Sequence, residues 1–330
     1  MKILLVNKYL YRKGGAETYF IKLGEYLKSL GNEVEYFGMA DERNCVENRV
    51  GAYTENIDFH KKSLKHITYP FKIIYSVNAR KQIRKVLSDF KPDVVHLNNF
   101  NYQLTPSIIY EIKKHNIPIV YTAHDVQLVC PNHKLKNDYT DGLCRKCDGG
   151  KYFECVKNNC VHSSKIRSIL GAVEAWYYKL RHTYKMIDLT VCPSEFMEKE
   201  ISRNDDISGR TVTMYNFIDE IKPLGAECEN YVLYFGRYSE EKGISNLVKA
   251  AKKLSNIPFV FAGKGELENE VNSAYNIKNV GFKTGDELRN IIEKALFTVL
   301  PAEWSENCPF SVMESQSLMT PVLGAKIGGI

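Results

Sequence analysis

Short β-branched runs, each followed by a loop and then an amphipathic helical stretch, recur along nearly the whole chain, and the series starts twice. In the first series Ile3–Val6, Glu33–Phe37, Val94–Leu97, Ile117–Thr122 and Leu189–Cys192 read as buried strands. Helical periodicity runs from Gly14-Gly15-Ala16-Glu17 to about Leu30, where Gly31 supplies a stop, and again over 76–90, 105–115, 165–185 and 194–203. The second series has strands at Tyr231–Phe235, Phe259–Ala262, Asn279–Gly281, Thr298–Leu300 and Pro321–Leu323, with helices at 243–254, 266–273, 284–294 and 309–318. Strands apolar on both faces, alternating with helices, build parallel sheets covered on both sides.

At 330 residues the chain exceeds one ordinary core and suits two domains of about 150 residues each. The polar stretch 217–230, with Pro223 and Gly225, is the expected linker, which gives domains at 1–218 and 219–330. The segment 126–164 breaks the rhythm and is expected to be an insertion at the edge of a cleft.

Composition excludes several classes. Hydrophobic residues make up 44% and charged residues 25%, as in globular proteins, and no apolar run approaches the roughly 18 residues of a membrane span. The opening Met1-Lys2-Ile3-Leu4-Leu5-Val6-Asn7 is too short for a secretory signal, so a cytoplasmic location is expected. The net charge of +6 divides into +9 over residues 1–218 and −3 over 219–330. A basic first half suits an anionic partner such as a phospholipid surface or lipid pyrophosphate, and scattered solvated lysines explain it as well. The excess is not clustered in a nucleic-acid-reading motif, so no nucleic-acid partner is expected.

Chemistry concentrates at the ends of the second-series strands. Gly236-Arg237 follows a buried strand, and Glu241-Lys242-Gly243 opens the next helix. Ligands of such sheets bind beyond the carboxyl ends of the strands, where helix N-termini present free N–H groups. Arg237, with a bidentate fork, and Lys242, with a mobile point charge, can meet a diphosphate there; exposed cations at an ordinary helix start are the plainer account. Gly263-Lys264-Gly265 permits close backbone approach to a ligand, as would a plain turn. Glu306-Asn307-Cys308-Pro309-Phe310-Ser311-Val312-Met313-Glu314 places one carboxylate in a loop and a second about one turn into a helix started by Pro309. Two such acids can hold hydroxyls at opposite ends of one ligand while loop N–H groups face phosphate.

Arg237 with Lys242, Gly263-x-Gly265, Glu306-x7-Glu314 and Gly328-Gly329 occur in the order seen in glycosyltransferase family 4, and the chain resembles that family over essentially its whole length. Gly14-Gly15-Ala16-Glu17 and Thr122-Ala123-His124-Asp125 also match. The resemblance implies the GT-B fold, two Rossmann-like parallel-sheet domains facing a cleft. It implies a retaining enzyme of the capsule or exopolysaccharide type that moves a hexose-type sugar from a nucleotide-diphosphate sugar to a glycan or lipid-linked acceptor. Arg237 and Lys242 would hold the donor diphosphate and offset the charge of the leaving group, so that no divalent metal is needed. Glu314 would take the ribose hydroxyls and Glu306 the donor sugar, and His124 would face the sugar from the first domain. Gly14 and Gly15 would admit the donor phosphate or acceptor, while Gly236, Gly263, Gly265, Pro309, Phe310 and Ser311 complete the donor-binding set. A histidine held in the core is the competing account of His124. Two departures stand out. Family members commonly continue past Gly-Gly, so the sequence reads as truncated at its C-terminus, and Met319 falls where glycine is common, which suggests an altered helix end.

Five of the nine cysteines fall within residues 130–160. Cys144-x2-Cys147 followed by Cys155 and Cys160 suggests a structural zinc, with Cys130 or His133 as substitute ligand and loose free thiols as the alternative. Residues 165–185 mix Lys165, Arg167, Lys179, Arg181 and Lys185 with Trp176, Tyr177, Tyr178 and Tyr184. Such a helix can lie peripherally on the anionic inner face of a membrane, or be half-buried in its domain. A nucleotide-sugar epimerase on the same scaffold, or an inactive donor-binding fragment, are the alternative functions.

Overall fold

Two parallel sheets organise the chain. The computed structural model describes residues 1–56, 69–137 and 142–330, which divide into the units Met1–Tyr215 and Asn216–Ile330. Residues 138–141 of the expected insertion lie outside the described residues.

In the first unit the elements run β1 (Lys2–Val6), α1 (Gly15–Ser29), β2 (Glu33–Phe37), α2 (Tyr69–Ile74), α3 (Val77–Phe90), β3 (Val94–Leu97), α4 (Ser107–Lys114) and β4 (Ile119–Thr122). They continue with α5 (Phe153–Lys157), α6 (Lys165–Leu180), β5 (Leu189–Cys192), α7 (Glu195–Ile201) and β6 (Thr211–Thr213). The sheet order is β2-β1-β3-β4-β5-β6, all parallel. Alternate residues of β1 feed opposite cores: Leu4 and Val6 pack with Ile83, Val86 and Ile108, whereas Ile3 and Leu5 pack with Phe20, Ile21 and Tyr36. Serines start three of the helices. Ser76 Oγ accepts from the Ala79 N–H, Ser164 Oγ from that of Arg167 and Ser194 Oγ from that of Met197.

The second unit runs β7 (Val232–Arg237), α8 (Ile244–Lys253), β8 (Phe259–Lys264), α9 (Glu268–Val271), β9 (Ile277–Asn279), α10 (Gly285–Lys294), β10 (Phe297–Leu300), α11 (Phe310–Ser317) and β11 (Val322–Gly324). Its sheet order is β11-β10-β7-β8-β9, again parallel. Val232, Tyr234 and Phe261 head one core; Leu233, Phe235 and Ile292 head the other.

Several expectations need correction. The last strand of the first sheet, β6, is a Thr-Val-Thr run too short and polar to announce itself. The strand expected at 279–281 lies at 277–279, because Ile277 is the residue that enters the core. The helix expected over 165–185 ends at Leu180; His182 turns left-handed at φ 47° and a 3-10 turn follows at Thr183–Met186. Tyr178 and Tyr184 are buried and Tyr177 packs against the core, so these tyrosines do not form an outward aromatic face. Pro309 caps α11 from an extended conformation and is not its first helical residue.

Candidate functional site

The strand order of the second sheet sets where a ligand can lie. β7 sits between β10 and β8, so the connections leaving β7 and β10 depart in opposite directions and open a crevice beyond their carboxyl ends. β7 ends on Gly236-Arg237, and Glu240–Lys242 form a 3-10 turn before α8. Gly243 has φ 73°, and a Cβ there would stand 1.8 Å from the Pro301 carbonyl oxygen. The turn after β7 is therefore pressed against the end of β10, which no residue with a side chain allows.

That closeness brings Lys242 to Glu306. Lys242 Nζ donates to Glu306 Oε1 at 2.5 Å, and Trp304 Nε1 donates to the same oxygen at 2.9 Å. Glu306 is 8% exposed, and its backbone carbonyl accepts from the Gly329 N–H at 2.7 Å. Arg237 is exposed, with Nη1 3.8 Å from Glu241 Oε1, and the Glu241 carbonyl accepts from the Glu303 N–H at 3.0 Å. The loops after β7 and β10 are thus tied by a side-chain pair and a backbone bond. Pro309, Phe310 and Ser311 form the start of α11, where the Phe310 and Ser311 N–H groups precede the first turn's bond from the Val312 N–H to the Pro309 carbonyl at 3.2 Å. Glu314 lies in the second turn of the same helix. At Gly263 and Gly265 the space of a Cβ is taken by the Gly236 and Tyr238 carbonyl oxygens, 1.9 and 2.2 Å away, so these glycines bring the chain against itself.

The first sheet has its corresponding point between β1 and β3. Gly14 is extended, with φ −164°, and precedes α1; Gly15 is its exposed first residue. His124 follows β4 and its Nε2 lies 2.8 Å from Asn98 Oδ1, with the Tyr19 ring edge-on at 5.1 Å. Burial lowers the His124 pKa to about 4, so the ring is neutral near pH 7 and acts through hydrogen bonds instead of charge. Its partner is the side-chain amide of Asn98, directly after β3.

Beside it stands a group that motif reading missed. Lys8 Nζ donates to Asn101 Oδ1 at 2.6 Å and lies 5.4 Å from the centroids of both Tyr9 and Tyr102. Asn101 Nδ2 reaches His133 Nδ1 at 3.2 Å, and His133 Nδ1 is 3.4 Å from Asp125 Oδ2. Burial pushes the Lys8 pKa down. It pushes Asp125 up, but the neighbouring His133 and Lys8 outweigh this and hold the carboxyl below its usual range. The legible signal was polar residues just past three buried strands: Asn7-Lys8 after β1, Asn98 after β3, and His124-Asp125 one residue beyond β4. Trp304 was the other omission; an indole two residues before Glu306 has no pattern to mark it.

Two doubly wound α/β units, the second with a cation–carboxylate pair at its switch point, are the architecture of the GT-B fold. A family model described as "Glycosyltransferase Family 4" matches residues 13–221, and one described as "Glycosyl transferases group 1" matches 217–330. The chain belongs to glycosyltransferase family 4. A Klebsiella pneumoniae protein described as an uncharacterized 42.6 kDa protein in the cps region is 26% identical, over 100% of this chain and 86% of its own. An uncharacterized glycosyltransferase of Methanocaldococcus jannaschii is 20% identical, over 100% and 80%. Among solved structures, Anabaena HepE in complex with UDP superposes with a TM-score of 0.64 at 16% identity, over 100% of this chain and 82% of that one. Sucrose-phosphate synthase of Thermosynechococcus elongatus gives 0.67 at 16%, over 99% and 82%. At these identities the two structures show the fold.

Proposed function

We propose that the protein is a retaining glycosyltransferase. In this reading it moves a hexose-type sugar from a nucleotide-diphosphate sugar to a glycan or lipid-linked acceptor in cell-surface polysaccharide assembly. The observation that carries this is Lys242 clamped on buried Glu306 at the switch point, with Arg237 and the start of α11 at the same end of the sheet. An ammonium has three N–H donors, so fixing one on Glu306 aims the other two at a ligand oxygen. The UDP named for HepE and the cps region named for the Klebsiella relative support the donor class and the pathway.

The step balances without an enzymic nucleophile. The acceptor oxygen bonds to the anomeric carbon on the face the diphosphate leaves. The bond from that carbon to the phosphate oxygen breaks, its electron pair stays with the diphosphate, and the acceptor proton passes to a diphosphate oxygen. Lys242, Arg237 and the α11 N–H groups offset the charge that grows there, the task a divalent metal would otherwise perform. Glu306 positions Lys242 and the sugar, and Glu314 the ribose. Lys242→Ala is expected to lower transfer and donor hydrolysis by about 100-fold or more, the usual loss for one such donor. Arg237→Ala and Glu314→Ala should also fall. Near-wild-type rates in all three would remove the donor assignment.

A membrane-facing role for α6 has its own support. Ile166, Ile169, Val173, Trp176 and Leu180 recur at helical spacing and are all exposed, from 36% to 79%, with Lys165, Arg167 and Arg181 exposed beside them. Among the described residues no helix is long and apolar enough to cross a membrane. Flotation with vesicles containing anionic phospholipid should carry the protein up, and Ile166→Glu/Leu180→Glu should leave it at the bottom; equal flotation of both would refute the contact.

A further inference from the structure

Between β4 and α6 the chain makes a long excursion whose regular elements, among the described residues, are the five-residue α5 and a 3-10 turn at Asp148–Gly150. So little secondary structure gives a segment of this length few ways to hold a shape, and short segments of this kind are commonly stapled by a cross-link. Cys130, Cys144, Cys147, Cys155 and Cys160 all line one small cavity of about 10 Å³ within it. Each of them is a free thiol, so no disulfide supplies the staple.

The surroundings of the sulfurs are those of ligands. The His133 N–H closes a turn on the Cys130 carbonyl at 2.9 Å, and the Lys134 N–H donates to Asn132 Oδ1 at 2.9 Å. As a thiol, Cys130 also donates to Asn132 Oδ1 at 2.9 Å. Asn137 Nδ2 donates to Cys144 Sγ at 3.1 Å. The Cys160 N–H donates to the Cys155 carbonyl at 3.1 Å, which keeps these two cysteines on one tight turn. A thiol is a weak acceptor, and an N–H turned on sulfur, as Asn137 Nδ2 is on Cys144, is the kind of outer support that metal-bound thiolates use. Lys134, Lys136, Arg145 and Lys146 lie in the same segment, where they can offset the two net negative charges of a four-thiolate zinc centre.

We infer that this segment is a structural zinc centre in which Cys130, Cys144 and Cys147 supply three ligands and either Cys155 or Cys160 supplies the fourth. Among the described residues no three His, Cys, Asp or Glu groups are arranged to hold a metal as they stand. Binding would draw the ring of sulfurs in to about 2.3 Å from one centre, a shift of side chains on short loops that leaves the sheet in place. Cys130 thereby changes from substitute to principal ligand. Its turn leads into His133, which contacts Asp125 and Asn101, so the metal would steady the loop beside His124 without touching the reacting atoms.

Elemental analysis of the full chain, purified without chelator from zinc-supplemented cells, is expected to find roughly one zinc per chain, the stoichiometry of a tetrahedral four-thiolate site. A mercurial reagent should release that zinc in step with thiol modification. Cys144→Ser/Cys147→Ser should lose it, whereas Cys45→Ser/Cys228→Ser, at exposed thiols elsewhere, should keep it. Should the first double variant fail to fold, cobalt-loaded wild type decides: thiolate-to-cobalt charge-transfer and tetrahedral bands support the centre, and their absence refutes it. A metal-free wild type, zinc retained by the folded Cys144→Ser/Cys147→Ser protein, or two thiols missing to a disulfide would each overturn the inference.

Discussion

Met319 stands at φ 61°, left-handed and 84% exposed, immediately after α11 and its cap Leu318. Its N–H donates to the Gln316 carbonyl at 3.0 Å and the Thr320 N–H to that of Ser315 at 2.9 Å, the paired bonds of a helix end that glycine normally closes. The side chain gains no packing there, and its Cβ opposes the backbone. Met319→Gly is therefore expected to stabilise the protein by about 1 kcal/mol, read as a higher urea midpoint at unchanged slope. A lower midpoint would show that the methionine packs in solution. At this scale the sequence shows chemical types but not partners. Lys242 and Glu306 were each legible at a strand end, yet their contact spans 64 positions and depends on β7 and β10 being neighbours. The contact of Lys8 with Asn101 and of His133 with Asp125 is hidden for the same reason, since it joins residues that follow three different strands.

Between elements, one buried acid carries a comparable burden in the first unit. Glu111 of α4 is 2% exposed and receives Arg84 Nε at 2.6 Å and Arg80 Nη2 at 2.8 Å from α3. The Arg84 hydrogen bond, with that of Arg80 and their charges, outweighs burial and holds the Glu111 pKa at about 2 against an ordinary 4.5. A carboxylate lowered on folding stabilises fully above its unfolded value and loses that contribution as pH falls through 4.5 toward 2. Glu111→Gln should cost about 2–4 kcal/mol at pH 7, as expected when one partner of a buried ion pair is removed. The two proteins should converge in stability by about pH 2; a gap that persists there would assign the loss to packing. Helices α3 and α4 were themselves legible, since their apolar periodicity spans several turns. By contrast β6 pairs through a three-residue run whose place is fixed by β5, and α5 is too short to show a period. Long periodic elements declare themselves, and short ones are fixed by neighbours distant in sequence.

Each unit has its own pair of hydrophobic cores, and each holds one of the two tryptophans, Trp176 on α6 and Trp304 beside Glu306. The restart of the strand–helix series had already implied two sheets, because a single doubly wound sheet rarely needs so many alternations. The placement of the indoles turns that division into a measurement. In Trp176→Phe, Trp304 becomes the sole tryptophan, and its Nε1 is bonded to the same Glu306 oxygen that holds Lys242. If a nucleotide diphosphate draws on Lys242, the field around that indole changes, and UDP is expected to shift its emission saturably. A ligand that binds the folded unit also stabilises it, by about 2.7 kcal/mol at a hundred times Kd, so the thermal midpoint followed by Trp304 should rise with UDP concentration. Lys242→Ala in the same background should abolish both responses, its midpoint with UDP being compared with its own unliganded midpoint because removal of the lysine leaves buried Glu306 without its cation. Emission and midpoint indifferent to UDP-, GDP- and ADP-linked ligands alike would place the diphosphate elsewhere and leave the Lys242–Glu306 pair a structural contact.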